Sequence, residues 1–166
     1  MTLEAFLLDL FSSIPQWLAV IFMAALPVGE LRLSIPVAIW KFGMDPISAF
    51  YLSIIGNMLP VIPVLLYLEP VSNYLRRWKL WDRFFTWLFT RTHRRHSENF
   101  EKYGSIGLAL FVGIPLPATG AWTGCAAAFV FGFKFRNAFL AIFAGVLMAG
   151  IIITLLTVGI NIFNGI

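Results

Sequence analysis

The sequence predicts an all-α integral membrane protein. It is expected to consist of two inverted repeats, each a re-entrant helical hairpin plus one transmembrane helix, with amphipathic helices at the surface. Three observations support this fold class. Hydrophobic residues make up 60% of the 166 residues and charged residues 12%, whereas a soluble domain carries about 25% charged residues. Two uncharged runs are long enough to span a bilayer, and two shorter apolar runs are interrupted by proline and glycine at corresponding places.

The N-terminal segment 1–14 is predicted to be an amphipathic helix in the membrane interface. Apolar side chains recur there at helical spacing, while Glu4 and Asp9 interrupt the apolar run. The alternative is that this segment begins a long first span that ends near Leu26. The acidic start is not that of a cleavable signal peptide, which opens with basic residues.

The central segment 70–103 is the one strongly polar part of the sequence. Eight of the twelve Lys and Arg residues lie between Arg76 and Lys102. Basic residues alternate with aromatic ones over 74–89, a pattern typical of an amphipathic helix on an anionic membrane leaflet. We therefore expect a cytoplasmic loop here and no nucleic-acid partner.

The two long uncharged runs are predicted to be transmembrane helices. They are Ile47–Leu68 with 22 residues and Ala138–Ile160 with 23 residues. At a rise of about 1.5 Å per residue, each exceeds the roughly 30 Å hydrocarbon core of a bilayer. Pro60 and Pro63 are expected to kink the second half of the first span.

The two shorter apolar runs are predicted to be re-entrant hairpins, because most of their halves are about half as long as a span needs. Proline and glycine break each run in its middle. The first hairpin joins 17–26 to 33–40, and the second joins 106–114 to 121–133. The residues assigned to the tips are Pro27, Gly29 and Pro36 in the first hairpin and Pro115, Pro117 and Gly120 in the second.

The two halves match as an internal repeat. Phe42-Gly43 returns as Phe131-Gly132, Ala49-Phe50 as Ala138-Phe139, and Gly56 as Gly145, all at an offset of 89 residues. Pro27 matches Pro115 at an offset of 88. The chain is thus predicted to be a single membrane domain over 1–166, with a first repeat at 15–69 and a second at 104–166.

The distribution of positive charge predicts the orientation. With the loop 70–103 inside, re-entrant hairpins put Lys134 and Arg136 inside as well, so ten Lys and Arg lie inside and only Lys41 outside. Full spans in place of hairpins would give eight inside against three outside. The excess of positive charge on cytoplasmic loops favours the hairpins. The halves are then inverted copies with external termini, an arrangement typical of secondary transporters.

Glu30 and Arg32 are the sharpest candidate site residues, because charged side chains at membrane depth are usually paired or functional. Glu30 is a candidate for binding a proton or a substrate cation. Arg32 is a candidate for holding a phosphate or carboxylate. The alternative is a structural ion pair between the two that fixes the hairpin.

The second tip carries no charge, yet it offers polar groups. Thr119, Trp122 and Thr123 are candidates for a substrate site there, as are backbone groups freed by the prolines. Simple packing of the hairpin is the alternative. Asn57 in the first span is a further polar candidate, with an interhelical hydrogen bond as the alternative. No metal site, cofactor or nucleophile–base pair is predicted, so enzyme activity is not expected.

At these residues the sequence resembles the small multidrug export protein family of prokaryotes. The matching motifs are Pro27–Pro36 (PVGELRLSIP) and Pro115–Gly124 (PLPATGAWTG). Alanine stands at position 118, where glycine is expected. The resemblance implies a multi-pass protein of the prokaryotic plasma (inner) membrane that exports drugs. The layout is also similar to the DedA-like superfamily, which implies paired re-entrant hairpins, proton-dependent transport and flipping of lipid carriers.

The sequence thus supports three functional hypotheses. The first is a proton-coupled transporter of small molecules or drugs, with its site between the two hairpins. The second is a flippase or scramblase for a phosphate-bearing lipid, and the third is a membrane scaffold that does not transport. Membrane lipids, an unidentified substrate and protons are the expected partners. A homo-oligomer, such as a homodimer, is also expected, because irregular backbone at membrane depth must be shielded from lipid.

Overall fold

A computed structural model describes residues 14–75, 98–116 and 119–164. All regular elements in these ranges are helical, as predicted. The α-helices, numbered here in chain order, are α1 Gln16–Ala25, α2 Glu30–Pro36, α3 Pro46–Met58, α4 Val61–Leu75, α5 Glu98–Gly113, α6 Ala121–Val130 and α7 Phe135–Asn164. A π-helical segment, Val37–Lys41, continues α2.

Some predicted features lie outside the described residues. They are nearly all of the interfacial helix 1–14, most of the basic helix 74–89, and the tip residue Pro117. These features stay predictions.

Both predicted membrane-spanning stretches are confirmed as long apolar helical stretches, over Pro46–Leu68 with 23 residues and Phe135–Ile160 with 26 residues. The first consists of α3 and the beginning of α4, separated by a turn at Leu59 and Pro60. Of the two prolines that were predicted to kink this span, Pro60 lies where the helix is interrupted. Pro63 lies in the first turn of α4, where the missing N–H costs nothing, so it does not interrupt the helix.

The long helices expose large apolar side chains. On α7, Leu155 is 68% exposed and Leu156 58% exposed. Contiguous apolar surface of this kind is avoided by monomeric soluble proteins. It is the surface expected of a helix that faces lipid.

The helices of the two predicted hairpins, here called the short helices, pack in pairs, α1 against α2 and α5 against α6. The chain turns between each pair where proline and glycine were predicted to break it. Several boundaries differ from the prediction, and the largest shift described here is at α5, which begins at Glu98, eight residues before the apolar run that starts at Ile106. The added turns contain Glu101 and Lys102, which favour helix without contributing to an apolar run.

Pro36 lies in the last turn of α2 and not in the turn between α1 and α2. Its ring cannot supply a backbone N–H. The helix widens directly after it: the N–H of Val37 donates to the carbonyls of Leu33 and Ser34, and the N–H of Phe42 donates to Val37 O at 3.1 Å. A π-helical turn of this kind accommodates a local disruption and is often found near functional sites.

The chain forms two compact units. The first contains the residues up to Asn57 together with those from Gly150 onward, and the second contains Met58–Ala149. Each unit therefore combines one pair of short helices with the first part of one span and the last part of the other. A helix of 30 residues such as α7 is about 45 Å long, three times the length of α1, so a single pair of short helices covers only part of it.

In the first unit, α3 packs directly on α1. A Cβ atom at Gly56 would overlap the backbone at Ile21 and would lie 2.9 Å from Ala24 Cβ. Only glycine allows this approach of the two backbones, because such distances are far shorter than van der Waals contact.

The same contact recurs in the second unit. A Cβ atom at Gly145 would lie 2.6 Å from Ala109 O and 2.7 Å from Val112 Cβ, so α7 packs directly on α5. The glycines Gly56 and Gly145 differ by 89 positions. The residues that they contact differ by 88 positions: Ile21 corresponds to Ala109, and Ala24 corresponds to Val112.

A second matching pair is formed by the Phe-Gly turns. Gly43 has a φ of +62° and Gly132 a φ of +69°. Both follow the last helical turn of their helix pair and occupy the left-handed region that terminates helices and favours glycine. The match at an offset of 89 residues therefore has a structural basis at this turn.

Candidate functional site

Glu30 lies at the start of α2, directly after the turn that ends α1. Val28 in this turn is 83% exposed, whereas Glu30 is 9% exposed. Glu30 also has a φ of +46° and is the only described residue other than glycine with a positive φ. Such a backbone costs about 1–3 kcal/mol and tends to occur at functional sites. A buried carboxyl group on a strained backbone marks Glu30 as a candidate functional residue.

Gly29 fixes the position of this turn against α1. A Cβ atom there would lie 3.2 Å from Met23 O and 3.0 Å from Leu33 Cδ2, so a larger residue would push the turn away. Backbone hydrogen bonds complete the turn, with Glu30 N–H donating to Leu26 O at 3.2 Å and Leu33 N–H donating to Gly29 O at 3.1 Å. The carboxyl group of Glu30 is therefore held by a closely packed and hydrogen-bonded segment.

The first unit also contains buried polar side chains that have no hydrogen-bond partner. Ser34 and Ser53 are 0% exposed and Asn57 is 1% exposed. The hydroxyl groups of both serines and both amide atoms of Asn57 lack a partner. Each such group costs about 1–3 kcal/mol when it is buried without a hydrogen bond. Groups left in this state in a native protein point to a ligand, an ion or water.

Helical spacing arranges these residues in two pairs. Glu30 and Ser34 are four residues apart on α2, and Ser53 and Asn57 are four residues apart on α3, so each pair shares one face of its helix. Thr154 on α7, in the same unit, also has a buried hydroxyl without a partner.

Thr157, one turn farther along α7, differs from Thr154. Its hydroxyl donates to Ile153 O at 2.7 Å, so its hydrogen-bonding capacity is used within its own helix. The unpartnered groups are therefore a distinct subset of the polar side chains in the first unit.

Of these residues, the sequence predicted Glu30 and Asn57 as site residues and missed Ser34, Ser53 and Thr154. The two i, i+4 polar pairs are visible in the sequence. They do not stand out there, because serine and threonine also occur elsewhere in the apolar segments.

Together, the buried carboxyl, hydroxyl and amide groups of the first unit have the chemistry of a polar binding surface. Serine hydroxyls and the asparagine amide can each donate and accept hydrogen bonds, and a carboxyl group accepts them or carries a proton. Such groups suit water, a protonated species or the polar part of a substrate. Arg32, partly buried on α2, adds a positive charge two residues from Glu30. The predicted ion pair between Glu30 and Arg32 stays a hypothesis.

At the second predicted tip, the threonine hydroxyls bond to their own backbone. Thr119 Oγ1 lies 2.9 Å from Ile114 O and 2.8 Å from Leu116 O, and it accepts the Leu116 N–H at 3.2 Å. Thr123 Oγ1 donates to Gly120 O at 3.2 Å. These bonds hold the proline-containing turn in shape, which is a structural role that the sequence did not anticipate.

Trp122 lies on α6, in the second unit, on the side that faces α4. It lines a narrow crevice together with Pro60, Val61, Val64 and Cys125. Its ring thus packs beside the break in the first span. The structure groups Glu30, Arg32 and Asn57 in the first unit and Thr119, Trp122 and Thr123 in the second, and the prediction that both groups form one site stays a prediction.

Within the described ranges, no group of three or more His, Cys, Asp or Glu side chains is placed to hold a metal ion. The candidate site combines one carboxyl group with neutral hydroxyl and amide groups and the partly buried Arg32.

A family model described as "Putative small multi-drug export protein" matches residues 30–152. The match covers about three quarters of the 166-residue chain. The chain belongs to this family. The matched region begins at Glu30 and extends into α7, so it includes the polar residues of α2 and α3 and the second proline-containing turn. No curated protein and no solved structure matches the chain.

Membership of an export-protein family agrees with the two long apolar helices. The protein is thus a membrane protein, and it belongs to a family that is described as export proteins. The resemblance seen in the sequence to small multidrug export proteins is confirmed.

Proposed function

We propose that this protein exports small molecules in exchange for protons, with Glu30 as the group that binds the proton. The observation that carries this proposal is the buried carboxyl group of Glu30 on a left-handed backbone, in the same compact unit as the unpartnered side chains of Ser34, Ser53 and Asn57. A carboxyl group couples transport to protons when protonation and substrate binding compete for it.

The lengths of the helices favour a site near the middle of the membrane. Glu30 is 11 residues from the exposed Lys41, which corresponds to about 16 Å of helix, or half of the hydrocarbon core. Helix α1, with ten residues, also reaches about half of the core. We therefore propose that α1 and α2 form a re-entrant hairpin with Glu30 at its tip.

The matching glycine contacts support a repeat of this hairpin. Gly56 packs against α1 as Gly145 packs against α5, at matching positions of the two halves, and the glycines of the two Phe-Gly turns both have a positive φ. With the basic loop inside, the two hairpins enter from opposite sides of the membrane, as in transporters with inverted repeats.

The two halves differ in polarity, which favours the first as the site. At an offset of 89 residues, Ser53 corresponds to Ile142 and Asn57 to Val146. All four side chains are buried. The buried positions that are polar in the first half are thus apolar in the second, where these positions serve packing.

Transport by purified protein in liposomes tests the proposal, with the lipophilic cation ethidium as the probe. A pH gradient that is acidic inside should drive ethidium inward in exchange for protons. The variant Glu30→Gln should lose the gradient-driven component and retain the melting temperature of the wild type. The matched control is Asp45→Asn, which removes an exposed carboxylate and should keep transport. Full transport by Glu30→Gln, or a wild type that moves no ethidium, would contradict the proposal.

A hydrophobic carbodiimide separates a proton site from a structural ion pair, because it reacts with protonated carboxyl groups in apolar surroundings. We expect it to modify Glu30 increasingly as the pH falls, as measured by mass spectrometry of the peptide. If Glu30 is instead held as a carboxylate by Arg32, modification should appear only in the Arg32→Gln variant. That result would favour the structural pair.

A further inference from the structure

The second unit contains an apolar pocket that the proposed export site does not use. Its volume is about 360 Å³, within the range of roughly 300–1,000 Å³ typical of small-molecule sites. Leu108 and Phe111 on α5 line one side, and Phe131 and Phe133 at the turn after α6 line the other. The pocket thus lies where the second pair of short helices ends, and none of its residues belongs to the candidate site around Glu30.

Gly107 keeps this pocket open. Among the described residues, a Cβ atom there would meet no atom within 4 Å. Two other helical glycines of the second unit permit close packing: a Cβ atom at Gly124 would lie 2.5 Å from Val112 Cγ2, and one at Gly145 would lie 2.6 Å from Ala109 O. The described helices therefore leave the space beside Gly107 open to a ligand.

Cationic residues predominate around the pocket: Glu98, Glu101 and Lys102 precede the lining residue Gly104 on α5, and the two charged residues after it are both cationic. Lys134 follows the lining residue Phe133, and Arg136 comes two residues later. Both are exposed. From Gly104 to the end of the chain the sequence contains no Asp or Glu. An apolar pocket beside two positive charges favours a ligand with an apolar tail and an anionic head, and it disfavours a lipophilic cation.

We infer that this pocket binds an acyl chain of an anionic membrane phospholipid, whose phosphate lies against Lys134 and Arg136. Helix α5 follows the basic segment 70–103, which the charge distribution assigns to the cytoplasmic side. The cytoplasmic leaflet is where anionic lipids attract such residues. The inference does not depend on transport or on Glu30.

The test measures binding of phosphatidylglycerol and of phosphatidylcholine with the same acyl chains to the purified protein in detergent, by native mass spectrometry. We expect phosphatidylglycerol to bind more tightly to the wild type. The variants Lys134→Gln and Arg136→Gln should each weaken its binding about fivefold, since each cation near an anionic headgroup contributes about that factor. Binding of phosphatidylcholine should not change in these variants. Equal binding of the two lipids by the wild type would overturn the inference.

The variant Gly107→Leu tests the pocket itself, because the added side chain occupies the open space. It should weaken phosphatidylglycerol binding by at least about tenfold, which corresponds to displacing two chain methylenes. The matched control is Gly159→Leu, another helical glycine with no atom within 4 Å of an added Cβ, and it should bind as the wild type does. Unchanged binding by Gly107→Leu would overturn the inference, as would displacement of the lipid by tetraphenylphosphonium, which would make this a cation site.

Discussion

Glu30 has a left-handed backbone because its two neighbours in the chain are both constrained. Gly29 before it packs against α1, and Leu31 after it is 3% exposed and belongs to the buried face of α2. The chain must turn within one residue between these two fixed points. The carboxyl group is therefore directed into the protein by the backbone and not by its own side-chain preference.

The backbone strain at Glu30 can be measured separately from the loss of its carboxyl group. The variants Glu30→Gly and Glu30→Ala both remove the carboxyl group, but only glycine adopts a φ of +46° without strain. We expect Glu30→Gly to have a free energy of unfolding about 1 kcal/mol higher than Glu30→Ala. Denaturation of both variants in detergent checks this, and an Ala variant as stable as the Gly variant would show that the backbone is unstrained.

We propose that the buried polar groups on α3 serve binding and not stability, because a buried polar atom without a hydrogen-bond partner destabilises a fold. In the variant Asn57→Leu, two unpartnered polar atoms are replaced by carbon. We expect the free energy of unfolding to rise by about 1–3 kcal/mol, while gradient-driven ethidium transport falls.

The matched experiment uses Ser53→Ala and Ser48→Ala, because Ser53 is buried without a partner and Ser48 is exposed. Stability should rise only in the first variant. A loss of stability in both Asn57→Leu and Ser53→Ala would show that these side chains support the fold.

The sequence predicts individual charged residues better than small polar ones. Glu30 and Asn57 stand out because charged and amide groups are rare in apolar segments. Ser34, Ser53 and Thr154 do not, since hydroxyl groups are common there and usually bond to their own helix, as Thr157 does. Only burial and the absence of a partner distinguish them, and both are properties of the folded structure.

At the scale of helices, glycine sets the closest approaches in both units. Gly56 and Gly145 each bring a helix of a predicted span onto the first helix of a pair. We expect Gly56→Ala and Gly145→Ala to destabilise the protein by about 1–3 kcal/mol, because the added methyl group overlaps backbone atoms. The melting temperature in detergent is the measurement.

The control for these variants is Gly159→Ala, in which the added Cβ meets no atom within 4 Å. It should be neutral or should stabilise the protein by up to about 1 kcal/mol, since alanine favours helix over glycine. Equal effects at all three positions would mean that helix propensity, and not packing, determines the outcome.

The spans and the breaks between the short helices follow from runs of apolar residues and from proline and glycine, which act locally. The start of α5 at Glu98 and the π-helical segment after Pro36 do not follow from such runs. The first depends on polar helical turns that carry no apolar signal. The π-helical segment depends on how the helix accommodates the N–H that Pro36 lacks. The helix can either kink or widen there, and its packing decides between the two.

At the scale of the whole molecule, the compact units are not the consecutive halves of the sequence. Each unit takes the end of a span from the other half, so α7 contributes residues to both. A repeat in the sequence indicates which segments of the two halves correspond to each other. It does not report which segments pack together, because packing depends on the length of the spans relative to the short helices.

Export through a site between the two hairpins requires that both pairs of short helices are re-entrant. The side of the membrane on which the C-terminus lies tests this requirement directly. Cys125 is buried and is the only cysteine of the chain, so a Cys125→Ala background allows single cysteines to be placed after Ile166 and in the loop 70–103. A membrane-impermeant maleimide is then applied to intact cells. Re-entrant hairpins predict that the C-terminal cysteine reacts in intact cells and the loop cysteine only after permeabilisation. If both react only after permeabilisation, the second pair of short helices crosses the membrane as a plain span, and the inverted-repeat site at Glu30 is contradicted.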